Sequence, residues 1–482
     1  MNFNSIEYLL FVPLVFLALL LAGARFRWVV LLAGSCYFYL TLKHLYLLMA
    51  LFGVTAVTYL CGIGIERCKE QRWKRAFFWS GVGADLLVLA GMKYLPFIEG
   101  NLNLLLKGVS SGLAVPEGRV LVSIGVSYFV FQAVSYLVDV YLEMEKAERH
   151  PGYFALYLAF FPKLLQGPIE RAGDLLPQLR EAQPFDQENI RAGLLLFGWG
   201  LFKKAVVADR LALYVNTVYG DVHAYTGLTL WIATYLYAFQ LYYDFSGYTD
   251  MALGTARMLN IRLTQNFATP YLSRSVAEFW RRWHISFSRC ILDYIFKPLQ
   301  MQFRAGKNWG TAAALLIAFL ASGLWHGASW CFVIWGGLHG IYLASSVFYK
   351  PWQKKMHRRL EVEKSGLLKV WQTLFTFHLV CFAWIFFRAA SVSDAFYVVA
   401  HLFEGSSGLA DLFAAQGATD LAIVSVSGVL MLSVYLVRER NLAQKDFFQA
   451  PLWIRWGVYL GLTAGLLFFN MDSNAGFIYF NF

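Results

Sequence analysis

Residues 311–349 contain no Asp, Glu, Lys or Arg. Such a run is long enough for two membrane crossings at about 20 residues each. Two imidazole side chains, His326 and His339, sit inside it. Comparable apolar runs recur along the whole 482-residue chain, which is 58% hydrophobic and only 15% charged, where soluble domains carry about 25% charge. A water-soluble globule has too little interior to hide so much apolar surface. In lipid, every backbone polar group must be paired within the chain. The expected fold is an all-α polytopic membrane protein, a single membrane-embedded domain over 1–482.

Apolar windows place candidate spans at about 6–22, 27–43, 45–64, 76–95, 120–141, 153–168, 192–208, 226–243, 311–328, 331–349, 371–388, 421–437 and 453–470. The first is read as a retained span, because MNFNSIEYLLFVPLVFLALLLAG has neither a basic n-region nor a small-residue cleavage site. Three windows are irregular. Residues 153–168 end in FFPKLLQGP, 192–208 carry Lys203 and Lys204, and 311–328 are interrupted at Ser322-Gly323. Irregular backbone at membrane depth is tolerated only against protein or a wet cavity, which predicts a funnel or tunnel.

The formal net charge of +11 is carried by short clusters. Residues 66–75 hold five basic and two acidic side chains, 257–310 nine and two, and 350–369 seven and two. Residues 389–437 hold four acids and no Lys or Arg. The positive-inside rule assigns the first three to the cytoplasm and the last to the outside, with both termini extracytoplasmic. Basic clusters of this kind serve topology and lipid contact, and nucleic acid is not an expected partner. The six Cys form no C-x-x-C, and most lie in or beside apolar runs, so neither a disulfide nor a metal site is expected. No internal repeat is found, which counts against many secondary-transporter folds. Hydrolase, NTPase and metalloprotease signatures are missing.

An ionisable group at membrane depth is costly and marks a site by default. His326 lies in Gly323-Leu-Trp325-His326-Gly327-Ala328, where small neighbours admit another backbone or a substrate. A neutral imidazole can take a proton from an alcohol near pH 7; a buried His bonded to a carbonyl is an equally open reading. His339, in WGGLHGIY, reads as structural. His284 lies 42 residues before His326, in RSVAEFWRRWHISFSRCILDYIF (274–296). There Phe279, Trp280, Trp283, Phe287, Ile291 and Tyr294 recur at helical spacing, while Arg281, Arg282 and Arg289 fall elsewhere. That pattern predicts one amphipathic helix at the membrane interface, with Trp at headgroup level and Arg on phosphates. Two polar knots, FQLYYDFSGYTD (239–250) and FFPKLLQGPIER (160–171), either line a pocket or satisfy each other.

At FFPKLLQGPIER, YYDFSGYTDMALG, NFATPYLSRSVAEFWRRWHISFS, ASGLWHGASWCFVIWGGLHG and the terminal FIYFNF, the chain resembles the membrane-bound O-acyltransferase (MBOAT) family. It is most similar to the bacterial alginate O-acetyltransferase (AlgI-like) branch, with the D-alanyl transfer (DltB-like) proteins more distant. The resemblance covers about residues 120–482, with the five pieces in family order. It implies a bundle of about 11–13 helices around a central funnel, with interfacial and re-entrant helices. It further implies a catalytic His326 in W-H-G, a second family histidine at His284, and an acidic family position at Asp244. One stretch departs from the alginate branch. Where that branch has R-D-Y-L-Y-I-P-L-G-G, this chain has Cys290-Ile-Leu-Asp293-Tyr-Ile-Phe-Lys297-Pro-Leu-Gln-Met-Gln.

The expected activity is transfer of an acyl group, acetyl first among them, from a cytoplasmic thioester towards an exported polysaccharide. Acetyl-CoA is the expected donor, with no tightly bound cofactor and no metal. His326 and His284 are the expected catalytic residues. Arg281, Arg282, Arg289, Asp244 and Trp325 are the expected donor contacts. Membrane lipid and an extracytoplasmic esterase-fold (SGNH-type) transferase are the expected partners, the bacterial inner membrane the location. Two other readings stay open: D-alanyl transfer to a cell-envelope polymer, and a non-catalytic acyl or lipid transporter. The stretch 394–404 is amphipathic, and its apolar face needs cover, which is the physical motive for a partner there.

Overall fold

The computed structural model describes residues 1–109, 115, 121–181, 184–439, 447–470 and 477–478. Among the described residues the architecture is all helical, and the one extended pairing is an isolated bridge between Thr226 and Ser407. Seven segments are long and apolar enough to cross a membrane: 6–40, 45–67, 71–107, 304–326, 330–359, 366–388 and 452–469. The protein is therefore an all-α, multi-pass membrane protein. The chain divides into two compact units, Met1–Phe197 with Ala252–Thr264, and Gly198–Met251 with Gln265–Phe482.

In the first unit, the spans expected at 6–22 and 27–43 are the two limbs of one segment, Ile6–Leu40, broken at Gly23. Gly23 has φ +65°, in the left-handed region that glycine enters without a Cβ penalty. The limbs fold together through Phe11, which packs against Tyr37 and Phe38. The window 153–168 does not form one span. Helix Pro151–Ala159 stops at Phe160, and the four-residue turn Phe161–Leu164 follows with Pro162 in its first turn. The polar side chains of the FFPKLLQGPIER knot are then met by residues outside it, in the same unit. Lys163 Nζ donates to Gln132 Oε1 at 2.6 Å, while Gln132 Nε2 and Tyr157 Oη both donate to the Glu170 carbonyl at 2.9 Å. The Glu170 carboxylate accepts from Thr264 N–H and Oγ1. Burying these charges is tolerable because they are bonded.

The second unit is built on the hairpin predicted from 311–349. Helices Lys307–His326 and Trp330–Arg359 run antiparallel through the turn 327–329. Their close approach needs small residues: a Cβ at Gly323 would lie 2.3 Å from the Phe332 carbonyl, and one at Gly336 2.3 Å from the Phe319 carbonyl. Helix Gly366–Arg388 packs on this pair and buries Trp384 beside Trp335, rings 5.7 Å apart. The amphipathic stretch at 394–404 is covered on one side within its own unit. Ala395 and Val398 of helix Val392–His401 are fully buried, while Phe396 and Phe403 stay exposed. The loop after it is tied to residues 226–229, with Ser406 Oγ accepting from Leu228 N–H and Thr229 Oγ1 donating to the Ser407 carbonyl.

Candidate active site

The single amphipathic helix expected over 274–296 does not form. Helix Val276–Arg282 ends at Trp283, His284 turns left-handed with φ 43°, and a new helix runs Ile285–Cys290. A left-handed histidine is uncommon and costs backbone energy. The aromatic stripe does not face lipid either, because Phe279, Trp283 and Phe287 are each 1% exposed. The break rotates the second helix relative to the first and sends the imidazole inward, where His284 is fully buried.

His326 is the last residue of its helix and is 3% exposed. Its ring lies edge-on to Trp335 at 4.9 Å, and to Phe287 and Phe387 at 5.4 Å each. His284 meets Phe245 at 4.8 Å, Phe287 at 5.1 Å and Trp325 at 6.1 Å. Phe287 and Trp325 pack on each other at 4.3 Å. The two histidines singled out in the sequence therefore share the same pair of rings. Burial pushes the His284 imidazole down to about 3, so it is neutral at physiological pH. A neutral ring has one donor and one acceptor nitrogen, as acid–base work requires.

A cavity of about 480 Å³ opens beside this pocket. Its wall includes Trp280, Arg281, Phe287, Arg289, Phe319 and Ser322. Phe287 is common to the cavity wall and the ring shell of His326. Leu315, Phe319 and Ser322 lie along the helix that leads from Lys307, in the basic segment, to His326. Arg281 and Arg289 are exposed at this cavity, and neither forms an ion pair with a described residue. Such a space suits an amphiphile with an anionic head and a less polar arm.

Two expected donor contacts are committed elsewhere. Arg282 bonds Glu278 at 2.7 Å and Thr269 Oγ1 at 3.2 Å, one turn back and across the break. Asp244 pairs with Lys204 at 2.6 Å and accepts the backbone N–H of Ile478 at 3.0 Å. Lys204 also holds Asp209 at 2.8 Å, and Phe477 lies over its ammonium at 4.7 Å. The FQLYYDFSGYTD knot and the start of the FIYFNF piece thus meet in a buried ion-pair network, and residues 479–482 of that piece lie outside the described residues. Trp325 stands between the two histidines as a wall. His339 Nδ1 accepts from Trp280 Nε1 at 3.2 Å, a structural bond behind the cavity wall. Sequence reasoning missed Phe287 as the shared ring and Asn266 as the residue that bonds across the break. Asn266 stood in the quoted NFATPYL piece, but its partners are about 20 residues away and no local period reveals them.

The profile of the membrane-bound O-acyltransferase family, MBOAT, matches residues 93–387. The chain is 34% identical over 462 residues to the probable alginate O-acetylase AlgI of Azotobacter vinelandii, covering 94% of this chain and 87% of the relative. It is 30% identical over 500 residues to the peptidoglycan O-acetyltransferase of Helicobacter pylori, covering 94% and 91%. The teichoic acid D-alanyltransferase of Bacillus subtilis is 26% identical over 283 residues, covering 56% of this chain and 70% of that one. The chain belongs to the membrane-bound O-acyltransferase family. It is an O-acyltransferase enzyme.

Proposed function

We propose that this enzyme moves an acetyl group from acetyl-CoA, in the cytoplasm, to the exported side of the bacterial inner membrane for O-acetylation of a polysaccharide. The observation that carries the reading is the placement of His284 and His326 on the same rings, next to a cavity with two guanidinium groups that form no ion pair with a described residue. Arg281 and Arg289 would bind the donor's phosphates, and the cavity would hold its thioester arm. The two relatives named as O-acetyltransferases or O-acetylases, one for alginate and one for peptidoglycan, support acetyl as the group and a polysaccharide as the final acceptor.

In this reading His326 accepts the proton of an acceptor hydroxyl as its oxygen attacks the thioester carbonyl. The tetrahedral intermediate collapses, the carbon–sulfur bond breaks, and the thiolate takes a proton and leaves as free CoA. His284, neutral and enclosed, orients the thioester. The acetyl group then reaches the polymer directly or through an extracytoplasmic SGNH-type transferase. The basic segments face the cytoplasm and residues 389–437 the outside, with both termini extracytoplasmic.

Purified enzyme given acetyl-CoA and a short oligosaccharide is expected to release free thiol and acetylated sugar together. Release from a D-alanyl carrier thioester, with acetyl-CoA inert, would replace acetyl by D-alanyl. Inertness towards both would remove the thioester donor. Cysteine labelling from outside at 411 and from inside at 355 tests the orientation, and labelling of both from one side would refute it.

A further inference from the structure

The segment 266–269 bridges the break that sets His284. Asn266 Oδ1 accepts two bonds from Ser286, from Oγ at 2.7 Å and from N–H at 3.1 Å. The Asn266 carbonyl accepts Ile285 N–H at 3.0 Å, and Ala268 N–H donates to the Arg282 carbonyl at 3.0 Å. One residue, fully buried, therefore ties down the two positions that follow His284. These are the first two residues of helix Ile285–Cys290, whose N–H groups have no partner within their own helix. His284 provides no side-chain cap for that helix. Asn266 supplies the cap from a distant loop, and the imidazole is left to the aromatic pocket.

We infer that Asn266 is a positioning residue for acyl transfer: it holds the left-handed turn that aims His284 at Phe287 and Trp325, beside His326. The inference rests on the role given to His284 under Proposed function. A left-handed His is disfavoured and persists only where surrounding bonds over-determine it. Without the two bonds to the Asn266 amide oxygen, the backbone bond from Ile285 alone holds the turn, which relaxes towards the continuous helix that the 279, 283, 287 spacing favours. The imidazole would then leave the pocket. Misplacement of a reacting group by about 1 Å can cost a hundredfold in rate.

The test is a double-mutant cycle on acetyl transfer by the full-length enzyme, with thermal stability measured in parallel. Asn266→Ala is expected to lower kcat about tenfold or more, with donor KM changed less than about twofold. In a His284→Ala background the same change should add almost nothing, because the group it positions is gone. Asn266→Asp keeps the acceptor for Ser286 and should recover most of the activity. Ser286→Ala keeps the N–H bond and should cost about two- to threefold. Losses that multiply in the double variant, or an Asn266→Ala enzyme with normal kcat beside an impaired His284→Ala, would overturn the positioning role alone. A fully active His284→Ala enzyme would overturn the role of His284 itself.

Discussion

Two buried polar regions of the second unit use their charge in opposite ways. At Lys204 the ammonium is met by Asp244 at 2.6 Å and Asp209 at 2.8 Å, and all three side chains are at most 3% exposed. Around His284 and His326 the neighbours are aromatic rings, and the cations at the adjoining cavity, Arg281 and Arg289, carry no ion pair among the described residues. Charge neutralised within the fold has no capacity left for a ligand. Charge left open beside a cavity does. Asp244 and the two histidines are equally prominent in the sequence; under the proposed function this difference gives the first a stabilising role and leaves the chemistry to the histidines.

The comparison breaks most sharply on removing one group from each region. His326→Ala should reduce acetyl transfer by about 10²–10⁴-fold while the amount and thermal midpoint of the protein stay near wild type. Asp244→Asn should do the reverse. It leaves a buried ammonium with one acid in place of two, and breaking a buried pair costs about 3–5 kcal/mol. Lower yield and a lower thermal midpoint are expected, with specific activity of the surviving protein largely kept. Normal stability in Asp244→Asn, combined with lost donor binding, would return Asp244 to the site.

Acid sharpens the same contrast. His284 is neutral and buried, with its pKa pushed from 6.5 down to about 3. The unfolded chain binds that proton first, so the contribution to stability is complete above pH 6.5 and is lost as pH falls towards 3. The slope from this one group is about 1.4 kcal/mol per pH unit. His284→Gln should flatten the acid limb of the stability curve, and an unchanged limb would mean that other groups control it.

Smaller effects are expected at the cavity mouth. Arg281 and Arg289 are exposed, so solvent screens them and each contributes modestly. The double change to Ala should raise donor KM by about tenfold with little change in kcat, and the wild-type KM should climb with salt. An equal fall in kcat would place these arginines at the reaction itself.

Much of this was legible from residue pattern. The charge-free run at 311–349 specified the hairpin, but the interruption expected at Ser322-Gly323 is absent: the helix runs unbroken from Lys307 to His326, and Gly323 serves its close packing on the next helix. His326 stood out because an imidazole at membrane depth is costly. The break at His284 was hidden, since Phe279, Trp283 and Phe287 keep a four-residue spacing straight through it. What interrupts the helix is a set of bonds from Asn266, outside any local window. One window was misread for a related reason. Residues 153–168 read as apolar on average, but Pro162 and the bonds made by Lys163 divide them into short pieces. A moving average cannot see where one polar side chain finds its partner.

The smallest effect belongs to helix Val392–His401 and the loop after it. Helix Val392–His401 buries Ala395 and Val398 against its own unit. What remains outward is Phe403, 86% exposed and edge-on to Trp231 at 5.9 Å, and Phe396, 55% exposed. Large aromatic groups on a surface serve either as membrane-interface anchors or as centres of a protein contact. Phe396 stands on the helix itself, and the loop that follows Phe403 is bonded through Ser406 and Ser407 to residues 226–229. Phe396→Ser with Phe403→Ser should lower O-acetylation of the exported polymer about two- to fivefold while acetyl-CoA turnover on a short soluble acceptor is unchanged. Loss of both activities would make the loop structural. Loss of neither, with weaker retention in liposomes, would make the pair an interface anchor and remove it as a contact for the proposed extracytoplasmic transferase.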